Sequence, residues 1–159
     1  MTDTALGDKM QRGENHMKTQ SRQLYVTVGL PRSGKTTWAR AWSQTHGTPM
    51  VCPDAIRLAI YGQRYLAEAE PLVWSTAKTM VRALFLAGHR QVILDATNVV
   101  KARRMEWVSD DWDIVWVTFH ADLETCLSRA DEGLKPVVRK MMEEYEPVLT
   151  EPGRVIAGE

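Results

Sequence analysis

The sequence predicts an α/β domain: a mainly parallel sheet of about five strands, helices on both faces in three layers, and a short helical lid. Three observations predict it. Apolar runs such as Leu24-Tyr25-Val26-Thr27-Val28 and Val92-Ile93-Leu94 are continuous, the pattern of strands buried on both faces. Segments with helical periodicity separate these runs, and such alternation demands a parallel sheet linked by helical crossovers. The first run also passes through a glycine-rich turn directly into a helix.

At 159 residues the chain suits one folded domain. Residues 1–21 are polar, lack aromatics and show no periodicity, which predicts a disordered tail, with the domain over 22–159. Twenty Lys/Arg balance twenty Asp/Glu, which argues against a surface coated with positive charge for bulk nucleic-acid binding. Cys52 and Cys126 lie in apolar surroundings and read as reduced core residues of a cytoplasmic protein. The four histidines have no metal-binding spacing, and no apolar run is long enough to span a membrane.

The first strand, Leu24 to Val28, leads into Gly29-Leu30-Pro31-Arg32-Ser33-Gly34-Lys35-Thr36-Thr37. This stretch matches the P-loop pattern, with Gly29, Gly34, Lys35 and Thr36 in the required places. A loop that wraps a triphosphate must point several backbone N–H groups inward, and glycine permits the close approach. Lys35 is placed to reach the β- and γ-phosphates, and the Thr36 hydroxyl to complete the shell of a Mg²⁺ ion. ATP with Mg²⁺ is therefore the expected donor.

Helix 1 is expected from Thr37 to about Thr45, closed by Gly47. Trp38 and Trp42, one turn apart, read as core packing. Thr48 to Cys52 is a short second strand, and Pro53 opens a helix that carries Asp54 and Arg57 on one face. From spacing alone these two serve equally well as a helix cap with its neighbour or as ligand-site residues at a strand end.

Pro71 to Ala87 reads as a long amphipathic helix, and Gln91 to Leu94 as a buried strand ending in Asp95. A carboxylate there orders a Mg²⁺-bound water, binds the acceptor, or merely caps a helix. Lys101 to Val108 is a basic helix whose Arg103 and Arg104 read as a solvated face. Ile114 to Phe119 is the fourth strand. Asp122 caps a helix reaching Arg129, a polar lid with Asp131, Glu132 and Gly133 follows, Val137 to Glu146 is helical, and Arg154 to Ala157 is an edge strand.

With these residues in view, the sequence over about 23–157 resembles the 5′-kinase domain of bacteriophage-type polynucleotide kinases. The likeness rests on Gly29–Arg40, on Asp54-Ala55-Ile56-Arg57, on Asp95-Ala96-Thr97-Asn98 with Arg103, Arg104 and Trp107, and on Val138–Met141 with Tyr145-Glu146-Pro147. It implies a three-layer P-loop NTPase fold that moves the γ-phosphate of ATP to the 5′-hydroxyl of a nucleic acid. It further implies that Asp54 is the general base, that Arg57 binds an acceptor phosphate, and that Asp95, Thr97, Asn98 and Arg139 lie on the acceptor side. Relatives often carry Gly at Arg32, so the backbone there is expected to avoid a glycine-favoured conformation. Their lid carries two arginines. Here Arg129 matches the first and the second is missing, with Lys135, placed in the lid, favoured over Arg139 as its replacement. A small-molecule hydroxyl acceptor, or a nucleotide-binding module with little catalysis, are the alternative readings.

Overall fold

The computed structural model describes residues 21–159; the tail expected over 1–21 lies outside them apart from Ser21. Its strands are β1 (Gln23–Val28), β2 (Met50–Val51), β3 (Gln91–Leu94), β4 (Asp113–Thr118) and β5 (Arg154–Ala157). They form one sheet in the order β2-β3-β1-β4-β5, and every pairing is parallel. The expected edge strand, β5, is at the edge. β2 is shorter than expected because Cys52 already serves as the N-cap of the next helix.

The period-2 geometry of a strand sends alternate residues of β1 to opposite faces. Leu24, Val26 and Val28 pack with Val92, Leu94, Ile114 and Trp116 against Val73, Ala77, Val81 and Phe85 of α3 (Glu70–Leu86). Tyr25, with Ile93, Val115 and Val117, packs on the other face against Ala39, Trp38 and Trp42 of α1 (Lys35–His46). Trp38 and Trp42 stack with centroids 5.2 Å apart, so both are packing residues as expected. Gly47 ends α1 with φ 65°, its N–H donating to the Ser43 carbonyl at 2.8 Å.

A third cluster caps the loop end of the sheet. Leu30 packs with Val99 and with Cys126, Leu127 and Val138 from α5 (Leu123–Arg129) and α6 (Lys135–Glu143). Asp122 caps α5 as expected, accepting from the Thr125 N–H at 2.8 Å.

Two helices are shorter than their patterns predict, for identifiable reasons. α4 is only Lys101–Met105, because Trp107 must turn into the main core, where its carbonyl accepts from the Trp112 indole at 2.9 Å. α6 stops at Glu143 because Glu146 is drawn to the start of α4. Its N–H donates to the Val99 carbonyl, and its carboxylate accepts from the Lys101 N–H at 2.6 Å.

The solvated face expected for Arg104 is overturned. Arg104 is fully buried, ion-paired with Glu151, and donates to the carbonyls of Asn98 and Val99 at 3.0 Å and of Pro147 at 3.3 Å. One guanidinium thus ties the segment after β3 to the chain before β5. Burial pushes the Glu151 carboxyl up, but bonds from Arg104 and from backbone N–H groups hold it down at about 2. Its stabilising contribution is therefore complete above the ordinary glutamate range and is lost only as pH falls toward 2.

Glu151→Gln leaves Arg104 buried without its counter-charge and should cost about 3–5 kcal/mol in denaturant unfolding at pH 7. Arg104→Met combined with Glu151→Leu should cost clearly less than Glu151→Gln alone in the same titration.

Candidate active site

The site grows from the junction of β1 and α1, where the strand order reverses between β3 and β4, the position at which open parallel sheets bind ligands. The Gly29 N–H donates to the Thr97 carbonyl at 2.9 Å. A Cβ on Gly29 would lie 2.8 Å from Ser33 Oγ and 3.0 Å from Phe119 Cβ, so the loop closes this tightly only with glycine. Gly34 sits at φ 104°. Among the described residues, the backbone N–H groups of Arg32, Gly34, Lys35, Thr36 and Thr37 find no acceptor. Unpaired donors at a helix start, aided by the helix dipole, form a binding site for an anion.

Lys35 opens α1, two residues earlier than the pattern predicts, and is buried beneath the loop, its Nζ donating to the Leu30 carbonyl and, at 3.4 Å, to Ser33 Oγ. Burial pushes its ammonium down to about 8, against the pull of Asp95 and other nearby negative charge. Thr36 donates its hydroxyl to Asp95 Oδ2 at 2.8 Å. Burial raises the Asp95 carboxyl, while Thr36 and Lys35 oppose the shift. Of the roles open to Asp95, ordering a metal-bound water is the one these neighbours favour. A hydroxyl and a carboxylate oxygen, meeting beside a phosphate cradle, fit Mg²⁺, which prefers hard oxygen ligands and few of them from protein.

Arg32 departs from expectation. Its φ is 66°, in the left-handed region that favours glycine, at a cost of roughly 1 kcal/mol for a residue with a Cβ. Its carbonyl accepts from Arg129 Nη1 at 3.3 Å, so the lid arginine rests directly on the loop.

Asp54 is not the cap of α2 (Pro53–Tyr61); Cys52 holds that place, and Asp54 stands in the first turn with 79% of its side chain exposed. Arg57 donates to Asp54 Oδ1 at 2.6 Å. It also engages Glu70 through Nε at 2.5 Å and Nη2 at 2.7 Å, a two-pronged pair, with Trp74 Nε1 donating to the same carboxylate at 3.0 Å. Those bonds, that of Arg57 first, hold the Glu70 carboxyl below its usual range. Arg57 is buried with its fork occupied, so in this structure it positions Asp54 and is not open to an acceptor phosphate.

Glu70 and Trp74 went unnoticed in the sequence. Their i,i+4 spacing was visible, but nothing local points from Glu70 to an arginine thirteen residues earlier.

Asn98 is likewise not on an open acceptor surface. It is buried at φ 46°, with its amide donating to the Thr27 carbonyl at 2.9 Å, which braces β1 behind the loop. Thr97 contributes its carbonyl to Gly29. Lys135 lies in α6 rather than in the lid and is ion-paired with Glu132, while Arg139 is exposed on the same helix.

A wholly parallel sheet, a glycine-formed anion cradle and a Thr–Asp pair at its mouth define a P-loop kinase-type nucleotide-binding domain. The chain belongs to the family described as an AAA domain, which matches residues 24–133. Two solved structures, one of the Pnkp1/Rnl/Hen1 RNA repair complex and one of the Pnkp1/Rnl/Hen1 complex, contain a similar chain. One is 26% identical, covering 78% of this chain and 44% of that one, with a TM-score of 0.69. The other is 25% identical, covering 87% and 47%, with a TM-score of 0.70. This chain therefore spans less than half the length of those relatives. A sugar kinase from Janibacter sp. HTCC2649 shares the fold at 18% identity and a TM-score of 0.62, covering 86% of this chain and 85% of that one. No curated protein matches the chain.

Bound phosphates favour the charged lysine, so the complex keeps a proton that free Lys35 releases as pH rises through about 8. ADP affinity, measured by calorimetry, should be nearly flat from pH 7 to 7.5. It should then weaken by up to about tenfold per pH unit above 8. Lys35→Arg should flatten that slope.

Proposed function

We propose that this domain is an ATP-dependent phosphotransferase that moves the γ-phosphate of ATP to the 5′-hydroxyl of a polynucleotide. One observation carries the reading: the exposed Asp54 carboxylate, bonded by Arg57 and so tied to Glu70, stands in the first turn after β2, the strand paired with β3, and β3 runs directly into Asp95. Two carboxylates with different surroundings thus serve two tasks. Asp95, buried against Thr36, suits the metal side, and Asp54, open to solvent, suits the acceptor hydroxyl.

In this mechanism the loop amides and Lys35 hold the β- and γ-phosphates, with Thr36 and Asp95 on the metal side. Mg²⁺, when bound, supplies charge neutralisation on the phosphate oxygens. Asp54 orients the acceptor hydroxyl and accepts its proton. As the acceptor oxygen bonds to the γ-phosphorus, the bond from that phosphorus to the β–γ bridging oxygen breaks, its electron pair leaving with ADP. Phosphoryl transfer needs mainly positioning and charge, so a base that acts late is sufficient.

The likeness to a chain of the Pnkp1/Rnl/Hen1 RNA repair complex supports a nucleic-acid acceptor. A second reading, a small-molecule hydroxyl acceptor, is favoured by the Glu70 carboxylate that occupies Arg57, since a neutral acceptor asks for no free cation there.

Labelled ATP offered with 5′-hydroxyl RNA and DNA oligonucleotides should yield 5′-phosphorylated product, at a rate that falls steeply with added salt. Transfer only to sugars or nucleosides, insensitive to salt, would establish the second reading; ATP binding with no transfer to any acceptor would defeat both.

Asp54→Asn should lower transfer by about 10²–10⁴-fold while ATP affinity, read by calorimetry, stays within about twofold. An equal loss of binding and transfer would remove Asp54 from the role of base.

A further inference from the structure

Arg32 occupies a place in the loop that nothing in its own neighbourhood favours. Its backbone is held in the left-handed region, where glycine is at ease. Its side chain is exposed and, among the described residues, forms no hydrogen bond or ion pair. It stands three residues before Lys35, at the positive end of α1, where a helix favours an anion and not a cation. The guanidinium of Arg129 lies against its carbonyl, bringing a second arginine to the same stretch of chain. Lys35 bonds the Leu30 carbonyl and Arg129 the Arg32 carbonyl, so two cations already hold the backbone of a loop whose amides have no acceptor among the described residues, and Arg32 adds a third, unpaired guanidinium to that loop.

The arrangement is unfavourable in isolation and becomes favourable with a polyanion in the loop. An arginine offers a planar fork of donors that suits phosphate oxygens, and its long side chain reaches past the loop's own backbone. Lys135, by contrast, is paired with Glu132, its side chain drawn toward the lid's own carboxylate.

We infer that Arg32 is a catalytic residue: its guanidinium contacts the terminal phosphates of the bound triphosphate, and Arg129 positions it by holding its carbonyl. The contact deepens the phosphotransfer reading and rests on it for the transfer step, yet it is measurable with nucleotide alone. As the γ-phosphoryl group passes from ADP to the acceptor oxygen, Arg32 stabilises the negative charge that gathers on the terminal oxygens. The electron pair of the broken bond still leaves with ADP, and Asp54 still takes the proton.

The test compares wild type, Arg32→Gly, Arg32→Ala and Arg32→Lys by calorimetry with Mg²⁺·ATP and Mg²⁺·ADP, and by thermal unfolding. Arg32→Gly adopts the left-handed backbone without strain, so its melting temperature should hold or rise. It should bind ATP about tenfold more weakly than wild type and ADP within about twofold. Arg32→Ala should lose ATP affinity to the same degree, and Arg32→Lys should recover part of it. Where an acceptor has been found, Arg32→Gly should lower kcat on the order of 10³-fold with little change in the acceptor KM. Adding Arg129→Ala to Arg32→Gly should then lower ATP affinity less than Arg129→Ala does in the wild-type background.

An unchanged ratio of ATP to ADP affinity in a folded Arg32→Gly protein would overturn the inference. So would an equal loss of both affinities, which would mark a backbone effect. Failure to phosphorylate an oligonucleotide would count against the acceptor and leave these binding results to stand or fall separately.

Discussion

A buried lysine beneath a ring of unpaired amides is the condition on which the rest of the structure depends. Lys35 lies buried beneath the loop that Gly29 closes against Ser33 and Phe119, and burial outweighs the pull of Asp95 to bring its ammonium down to about 8. Hydrophobic packing cannot resolve such a site; only negative charge can. Asp95 supplies part of it from within, and an anion at the amides supplies the remainder. The surrounding architecture serves to hold this unsatisfied arrangement rigid. β1 and β4 end at the same level, with β3 ending beside Val26, α5 and α6 pack on Leu30, and Asn98 pins the back of β1.

The rigidity comes from ties between distant parts of the chain. Arg104 joins the turn after β3 to Glu151, forty-seven residues later, and Glu146 leaves its helix to bond the start of α4. Both ties act on the segment that carries Asp95 to Asn98, the same segment whose Thr97 carbonyl anchors Gly29. A buried ion pair is a poor source of net stability but penalises any rearrangement that separates its members. In this position it fixes where the loop begins.

Local signals were legible in the sequence and distant partners were not. The uninterrupted apolar runs of β1 and β3, the glycine that ends α1, the proline that opens α2 and the spacing of Gly29, Gly34, Lys35 and Thr36 each express a constraint acting within a few residues. They gave the sheet, its crossovers and the phosphate cradle. Arg104 looked solvated because its neighbours in sequence are polar, while the group that buries it lies near the C-terminus. Arg57 looked available because Glu70 is on another helix. The backbone at Arg32 differs from expectation for another reason: it keeps the left-handed turn that the glycine of relatives would allow, although Arg32 carries a Cβ, and its carbonyl accepts from Arg129.

The distribution of cations separates the two halves of the site. At the loop, Lys35 bonds the Leu30 carbonyl and Arg129 the Arg32 carbonyl, in a stretch of chain whose amides also seek negative charge. Beside Asp54, the buried Arg57 is enclosed by Asp54 and Glu70, two carboxylates to a single positive charge. A polyanion is therefore drawn to the loop and not to the mouth beside Asp54. Under the proposed function, an acceptor strand must be held by groups other than Arg57, or its phosphate must displace Glu70 from the guanidinium. The Arg57–Glu70 pair is, under the proposed function, the point at which acceptor choice is decided, as the Gly29–Lys35 closure is for the donor.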